Sequence, residues 1–194
     1  MFIADKADIA VTCTVGDGTV IWDHAQVREG ARIGEGCTIG RAAHIGVGTT
    51  VGDRCKIQDH ALIYGPARLE DGVFVGPGAL LTNDPFPRAV TPDGVRKTPG
   101  DWKPAAVLVE RGASIGAGAV CVAPVVIGSW AMVAAGAVVT RNVPDHALVA
   151  GVPARRIGWV GRAGIPLVQD AEGWVCPATG ERYRENDDKL ETVA

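Results

Sequence analysis

The sequence predicts an all-β solenoid: a parallel β-helix of six to seven triangular coils, interrupted by one loop and followed by a C-terminal extension. Three observations predict it. An aliphatic anchor recurs every six residues from Ile3 to Leu81 without a miss. A small residue stands two positions before nearly every anchor, as at Ala7, Cys13, Thr19, Ala25, Ala31 and Cys37, with Met1 and Val73 the exceptions in this stretch. Glycine often follows the anchor, as at Gly16, Gly34, Gly40, Gly46, Gly52 and Gly76.

Each observation has a physical reading. A helical stripe recurs at about 3.6 residues and a half-buried strand at about 2, so a period of six fits neither, but it does fit a short strand plus a turn. Residues i−2 and i share one strand face. If both point inward, the interior is a narrow prism in which large anchors alternate with small residues. Glycine after the anchor suits a tight corner that a Cβ would crowd. Hexapeptide repeats of this kind mark parallel β-helices, and with three hexads to a coil the 14 hexads before the gap and six after it give six to seven coils.

The anchors resume at Val109, Ile115, Cys121, Ile127, Val133 and Val139, and the gap of 28 from Leu81 to Val109 is not a multiple of six. Residues 83–106 fill that gap and carry five prolines, Pro85, Pro87, Pro92, Pro99 and Pro104. With little glycine or serine this is an ordered excursion on a rigid scaffold, the sort of loop that carries function or packs between subunits. The domain reading is therefore a solenoid over 1–140 with its insertion at 83–106, then an extension over 141–194. Within the extension, Arg155 and Arg156 follow a proline turn and form a candidate anion clamp, because guanidinium groups pair bidentately with phosphate. The tail resembles a strand pair around Trp174 and Tyr183 that caps the solenoid end.

A net charge of −3 gives no electrostatic case for a nucleic-acid or membrane partner. No apolar stretch reaches transmembrane length, and Asp5, Lys6 and Asp8 stand where a signal peptide would be apolar, so a cytoplasmic protein is expected. Of the five cysteines, Cys13, Cys37 and Cys55 occupy small inward slots and Cys121 an anchor, where thiols act as small apolar groups. Cys176 stands in a segment like a zinc-ribbon knuckle but has no CxxC partner, so no metal is expected.

The repeat, the interrupting loop and the segment GVPARRIGW at 151–159 resemble the left-handed β-helix acyltransferases of the hexapeptide-repeat superfamily. More narrowly, LEDGVFVGP at 69–77, LLTND at 80–84, VLVERGASIGAGA at 107–119 and GAVVTRNVPDHALVAGVPARRIGW at 136–159 are similar to nucleotide-sugar 3-N-acetyltransferases, among them the UDP-2-acetamido-3-amino-2,3-dideoxyglucuronate N-acetyltransferases. The resemblance implies a left-handed coil and a homotrimer with active sites between subunits. It further implies acetyl-CoA as cosubstrate without a metal, and a nucleotide-linked amino sugar as acceptor. It places pantetheine against Gly116, Ala117, Ala134 and Ala135, and the coenzyme phosphates at segment 151–158 near Arg155 and Arg156. The asparagine that opens the loop, Asn83, is placed by the sugar amine, and Asp84, Arg88 and Tyr64 are further substrate-binding candidates.

Asn83 cannot act as a base, but its side-chain oxygen can accept from an amine and orient it. If a base takes part, histidine is the first candidate, and the chain has His24, His44, His60 and His146. His24 and His60 lie 36 residues apart, two whole coils, in the matching tripeptides Asp23-His24-Ala25 and Asp59-His60-Ala61. They share a corner, with His60 nearer to Asn83. The chain departs from those relatives at Asp23, Gln26, Asp59 and His60, so glucuronate specificity is not transferred. Arg88, Arg96 and Lys97 are candidates for a sugar carboxylate or a nucleotide diphosphate. The competing readings are an O-acetyltransferase or acyl-carrier-protein-dependent enzyme on the same fold, and a non-catalytic trimeric scaffold. A carbonic anhydrase would need three histidines on one metal, and the register-matched pair is two coils apart.

Overall fold

The computed structural model describes residues 1–187 and 189–193 of the chain. Strands of two or three residues form at every anchor, beginning with Phe2–Ile3, Asp8–Ile9 and Thr14–Val15. Each pairs in parallel with the strand 18 residues on: Ile3 with Ile21, Ile9 with Val27, Val15 with Ile33. Three walls result, two of seven and six parallel strands and a third of nine whose last member is antiparallel. The like-on-like stacking follows from the repeat, because each anchor rests on the anchor of the neighbouring coil.

Beyond the first coil, every anchor from Ile21 to Val139 is at most 3% exposed. Burying such side chains contributes about 1.5–3 kcal/mol each. The small i−2 residues line the same interior, Ala25, Ala43, Ala61 and Ala79 in one column and Cys37 and Cys55 in another. The five thiols are free.

The loop adds 22 residues without losing phase. Leu69 pairs with Val109 and Leu81 with Cys121, 40 residues on in place of 18. The solenoid also runs past residue 140. Ala147–Ala150 adds an eighth parallel rung to the first wall, with Leu148 opposite Met132 and Val149 opposite Val133, and Val143 bridges Ile127. The hexads end at Val139 because Asn142-Val143-Pro144 turns irregularly, yet backbone pairing continues. Arg155–Trp159 then folds back antiparallel on Ala147–Ala150.

The two strands expected in the tail are part of a four-stranded antiparallel sheet, Val168–Asp170, Gly173–Val175, Arg182–Asn186 and Lys189–Thr192. Trp174 sits opposite Tyr183. Tyr183, Cys176 and Leu167 join the solenoid's core cluster, and the Tyr183 ring meets His146 edge-on at 5.2 Å. This end of the prism is capped. At the other end Met1, Phe2 and Ile3 are 69%, 51% and 39% exposed.

Candidate active site

Two edges of the prism matter, and they border the same wall, the one built from Gln26–Val27, His44–Ile45, Leu62–Ile63 and Leu80–Leu81. Asn83 lies on the edge where the chain leaves that wall. Its Nδ2 donates to the Gly65 carbonyl one coil below at 2.7 Å, while its own carbonyl accepts from the Ala105 N–H at 2.8 Å, closing the base of the loop. The side-chain amide is thereby oriented, and its Oδ1 has no hydrogen-bond partner among the described residues. Gly65 has to be glycine here, since a Cβ would stand 1.8 Å from the Val47 carbonyl oxygen.

Asn83, Tyr64, His44, Arg28, Pro99 and Trp102 line a cleft of about 670 Å³ between this edge and the inserted loop. His44 is a lining residue that the sequence does not single out as a candidate. It precedes the anchor Ile45 on the outer face of the wall, directly above Gln26, whose Oε1 is 3.2 Å from His44 Nδ1. An amide oxygen can only accept, so Nδ1 carries the proton and Nε2 keeps its lone pair. Burial, and next the Arg28 guanidinium, hold the His44 pKa below its ordinary 6.5, which keeps the ring neutral near neutral pH. The Tyr64 ring packs against it at 5.4 Å. The available signal was the 18-residue offset from Gln26 to His44, read on the outward positions as well as the inward ones.

His24 and His60 fall on the edge where the chain enters the wall and do not line this cleft. Both are exposed, with φ of 61° and 58°. The His60 N–H donates to the Arg41 carbonyl, and Asp59 Oδ1 accepts from the Arg41 N–H at 2.8 Å. Asp59 and His60 therefore make the tight turn, and at 23–25 His24 makes the matching one, its N–H donating to the Lys6 carbonyl at 3.1 Å. Within one chain Asn83 is brought together with Tyr64 and His44, and not with either of these histidines.

The same entering edge carries Gly116, Ala117, Ala134 and Ala135. A Cβ on Gly116 would stand 2.5 Å from the Ala135 nitrogen, so the backbones of adjacent coils are in contact there. Asp59 caps the N–H one coil below it, but Ala135 has no carboxylate with which to cap Ala117. Among the described residues the N–H groups of Ala117 and Ala135 have no hydrogen-bond partner, and both residues are exposed. That is a ladder of free donors, suited to the amide carbonyls of a pantetheine arm. Further along, Arg156 pairs with Glu185 at 2.9 Å and lies over the Trp159 ring at 4.1 Å, while Arg155 is exposed beside it. The tail thus holds one member of the expected clamp.

Asp84 and Arg88 line a second cavity of about 400 Å³ inside the loop, with Arg96, Lys97 and Trp102. Among the described residues no group of three or more His, Cys, Asp or Glu gathers as a metal site, and no helix is long and apolar enough to cross a membrane.

Comparison with known proteins bears on this geometry. Residues 12–46 match the family model described as bacterial transferase hexapeptide (six repeats), and 106–141 match the hexapeptide repeat of succinyl-transferase. The dTDP-3-amino-3,6-dideoxy-alpha-D-galactopyranose 3-N-acetyltransferase of Aneurinibacillus thermoaerophilus is 48% identical over 80 residues, 41% of each chain. Serine acetyltransferase of Escherichia coli K12 is 40% identical over 85 residues, 43% of this chain and 30% of its own. The chain thus matches less than half the length of these curated relatives. Among solved structures, the UDP-N-acetylglucosamine acyltransferase of Bacteroides fragilis superposes with a TM-score of 0.58 at 14% identity, over 81% of this chain and 74% of that one. By its repeats, its coil register and this superposition, the chain has the left-handed β-helix fold, built on hexapeptide repeats.

Proposed function

We propose that the protein is an acetyl-CoA-dependent N-acetyltransferase acting on the amino group of a nucleotide-linked amino sugar, with a 3-amino sugar as the favoured acceptor. The observation that carries this reading is the cleft in which an oriented asparagine amide and a neutral histidine with a free Nε2 face one space. The 48% identity to a dTDP-amino-sugar 3-N-acetyltransferase supports the acceptor class. The ladder of free N–H groups at Ala117 and Ala135 supports the coenzyme.

In this mechanism Asn83 Oδ1 accepts from the sugar amine and aims its lone pair at the thioester carbonyl carbon. The carbon–nitrogen bond forms, the carbon–sulfur bond breaks, and the products are an amide and free CoA. The amine proton passes to His44 Nε2 and then to the departing thiolate, so the histidine ends neutral. General base assistance of this sort contributes about 10²–10⁴-fold, with positioning acting in addition.

The active protein in this reading is a homotrimer in the cytoplasm. The entering edge of one subunit, with His24, His60 and the free N–H ladder, faces the Asn83 edge of the next. Exposed Trp22, Leu62 and Tyr64 near these edges are surface such packing would cover. The reading is tested by thiol release from acetyl-CoA with a panel of UDP- and dTDP-linked amino sugars, on wild type and Asn83→Ala. Turnover on a 3-amino sugar that collapses in the variant supports it. Absence of both CoA binding and CoA release would favour a non-catalytic scaffold.

A further inference from the structure

The inserted loop contains a cavity that the chemistry of acetyl transfer does not use. Val90 bridges Arg96 in antiparallel fashion and the Lys97 N–H donates to the Ala89 carbonyl at 3.0 Å, so a short hairpin sets the two arms of the loop side by side. Arg88, Arg96 and Lys97 all line the resulting cavity of about 400 Å³. Its one lining carboxylate, Asp84, accepts from the Phe86 N–H at 2.9 Å. Asp101, within electrostatic reach of Lys97, accepts from both the N–H and the hydroxyl of Thr98 at 2.7 Å. No ion pair among the described residues involves Arg88, Arg96 or Lys97.

A chain of net charge −3 therefore concentrates three cations around one concave space, against a single lining carboxylate that is already turned to backbone. Pro99 and Trp102 are walls of both this cavity and the Asn83 cleft, so the two spaces adjoin. A ligand spanning them would present a polar, amine-bearing end to Asn83 and His44 and an anionic end to the cations.

We infer that the inserted loop is the diphosphate-binding half of the site, with Arg88, Arg96 and Lys97 holding the diphosphate of the nucleotide whose amino sugar lies against Asn83. The inference rests on the acetyltransferase reading for the sugar end, but the anion site stands on the loop geometry. Guanidinium and ammonium groups suit phosphate oxygens, and charge-assisted contacts of this kind are the strong ones. A sugar carboxylate is the other possible source of the anion, and it would be recognised without a nucleotide.

The test is calorimetric titration of the full chain with UDP, dTDP, UMP and free glucuronate, comparing wild type, the double variant Arg96→Ala/Lys97→Ala, Arg96→Lys and, as a control, Arg184→Ala in the tail. Circular dichroism melts verify that the variants fold. The expected result is binding of UDP or dTDP at least about tenfold tighter than UMP, lost by about tenfold or more in the double variant. Arg96→Lys should recover part of it and Arg184→Ala should retain it. Nucleoside diphosphate binding unchanged in the double variant would overturn the inference, as would glucuronate binding as tightly as UDP. If the diphosphate site behaves as expected while no amino sugar releases CoA, the acetyltransferase reading fails and the site remains. If CoA is released but the double variant binds UDP normally, the reverse holds.

Discussion

The two edges that flank one wall of the prism are built from the same repeat and end up with different chemistry. On the entering edge the coils from the second onward turn through a left-handed residue, His24, Ala42 and His60 among them, and later coils put glycine and alanine there. On the leaving edge the coil at Asn83 fails to close and gives way to the loop, roofing a cleft over His44 and Tyr64. The same fold thus makes one edge a backbone surface and the other a side-chain site. An edge that has to turn tightly in every coil has little freedom to vary, whereas an edge opened once can accept any insertion that returns to phase.

The largest effect should come from His44. His44→Ala is expected to lower kcat/KM by about 10²-fold or more, the usual contribution of a general base. In wild type, kcat/KM should fall as pH drops through the depressed His44 pKa, below 6.5, because protonation removes the Nε2 lone pair. A pH profile of the variant should lack that limb and keep only the one set by the acceptor amine. An unchanged profile in His44→Ala would remove the histidine from the mechanism and leave positioning alone.

Asn83→Ala comes next, with an expected loss of about 10–100-fold in kcat/KM, carried mostly by misorientation of the amine. Its melting temperature should shift little, because the loop base keeps the backbone bond to Ala105. On the opposite edge, Gly116→Ala sets a Cβ 2.5 Å from the Ala135 nitrogen. It should destabilise by about 1–3 kcal/mol, as overpacking does, and raise KM for acetyl-CoA more than it lowers kcat. A change confined to kcat would separate that edge from the coenzyme. The smallest effect is expected from His60→Gly, which relieves a φ of 58° and should stabilise by under about 1 kcal/mol in a thermal melt. A marked loss of turnover in this variant, measured on the assembled protein, would bring the entering edge into catalysis across a subunit interface.

The period of six made the walls, the anchors and the phase of the insertion legible, since Ile21 through Val139 are buried where the spacing put them. The end of the solenoid was less legible. Beyond Val139 the pattern dissolves while Leu148 and Val149 still pair with Met132 and Val133, because parallel pairing depends on backbone groups. His44 is hard to read from the sequence for a related reason. Outward residues carry no period of their own, and Gln26, His44 and Tyr64 form a group only once coils 18 residues apart are stacked.

The solenoid, its interior and the place of the loop are legible in the sequence, because one anchor per hexad can be buried only by stacking coils around a narrow prism, although the period leaves the hand of the coil open. The sequence also offers Asn83 as a candidate through likeness to known enzymes. Tertiary structure alone decided that Asp59 and His60 make a turn, that Arg156 is held by Glu185, and that the loop's two arms bring Arg88 to Arg96 and Lys97. Those are contacts between groups far apart along the chain or across a fold in a loop, and no local periodicity encodes a distance in space.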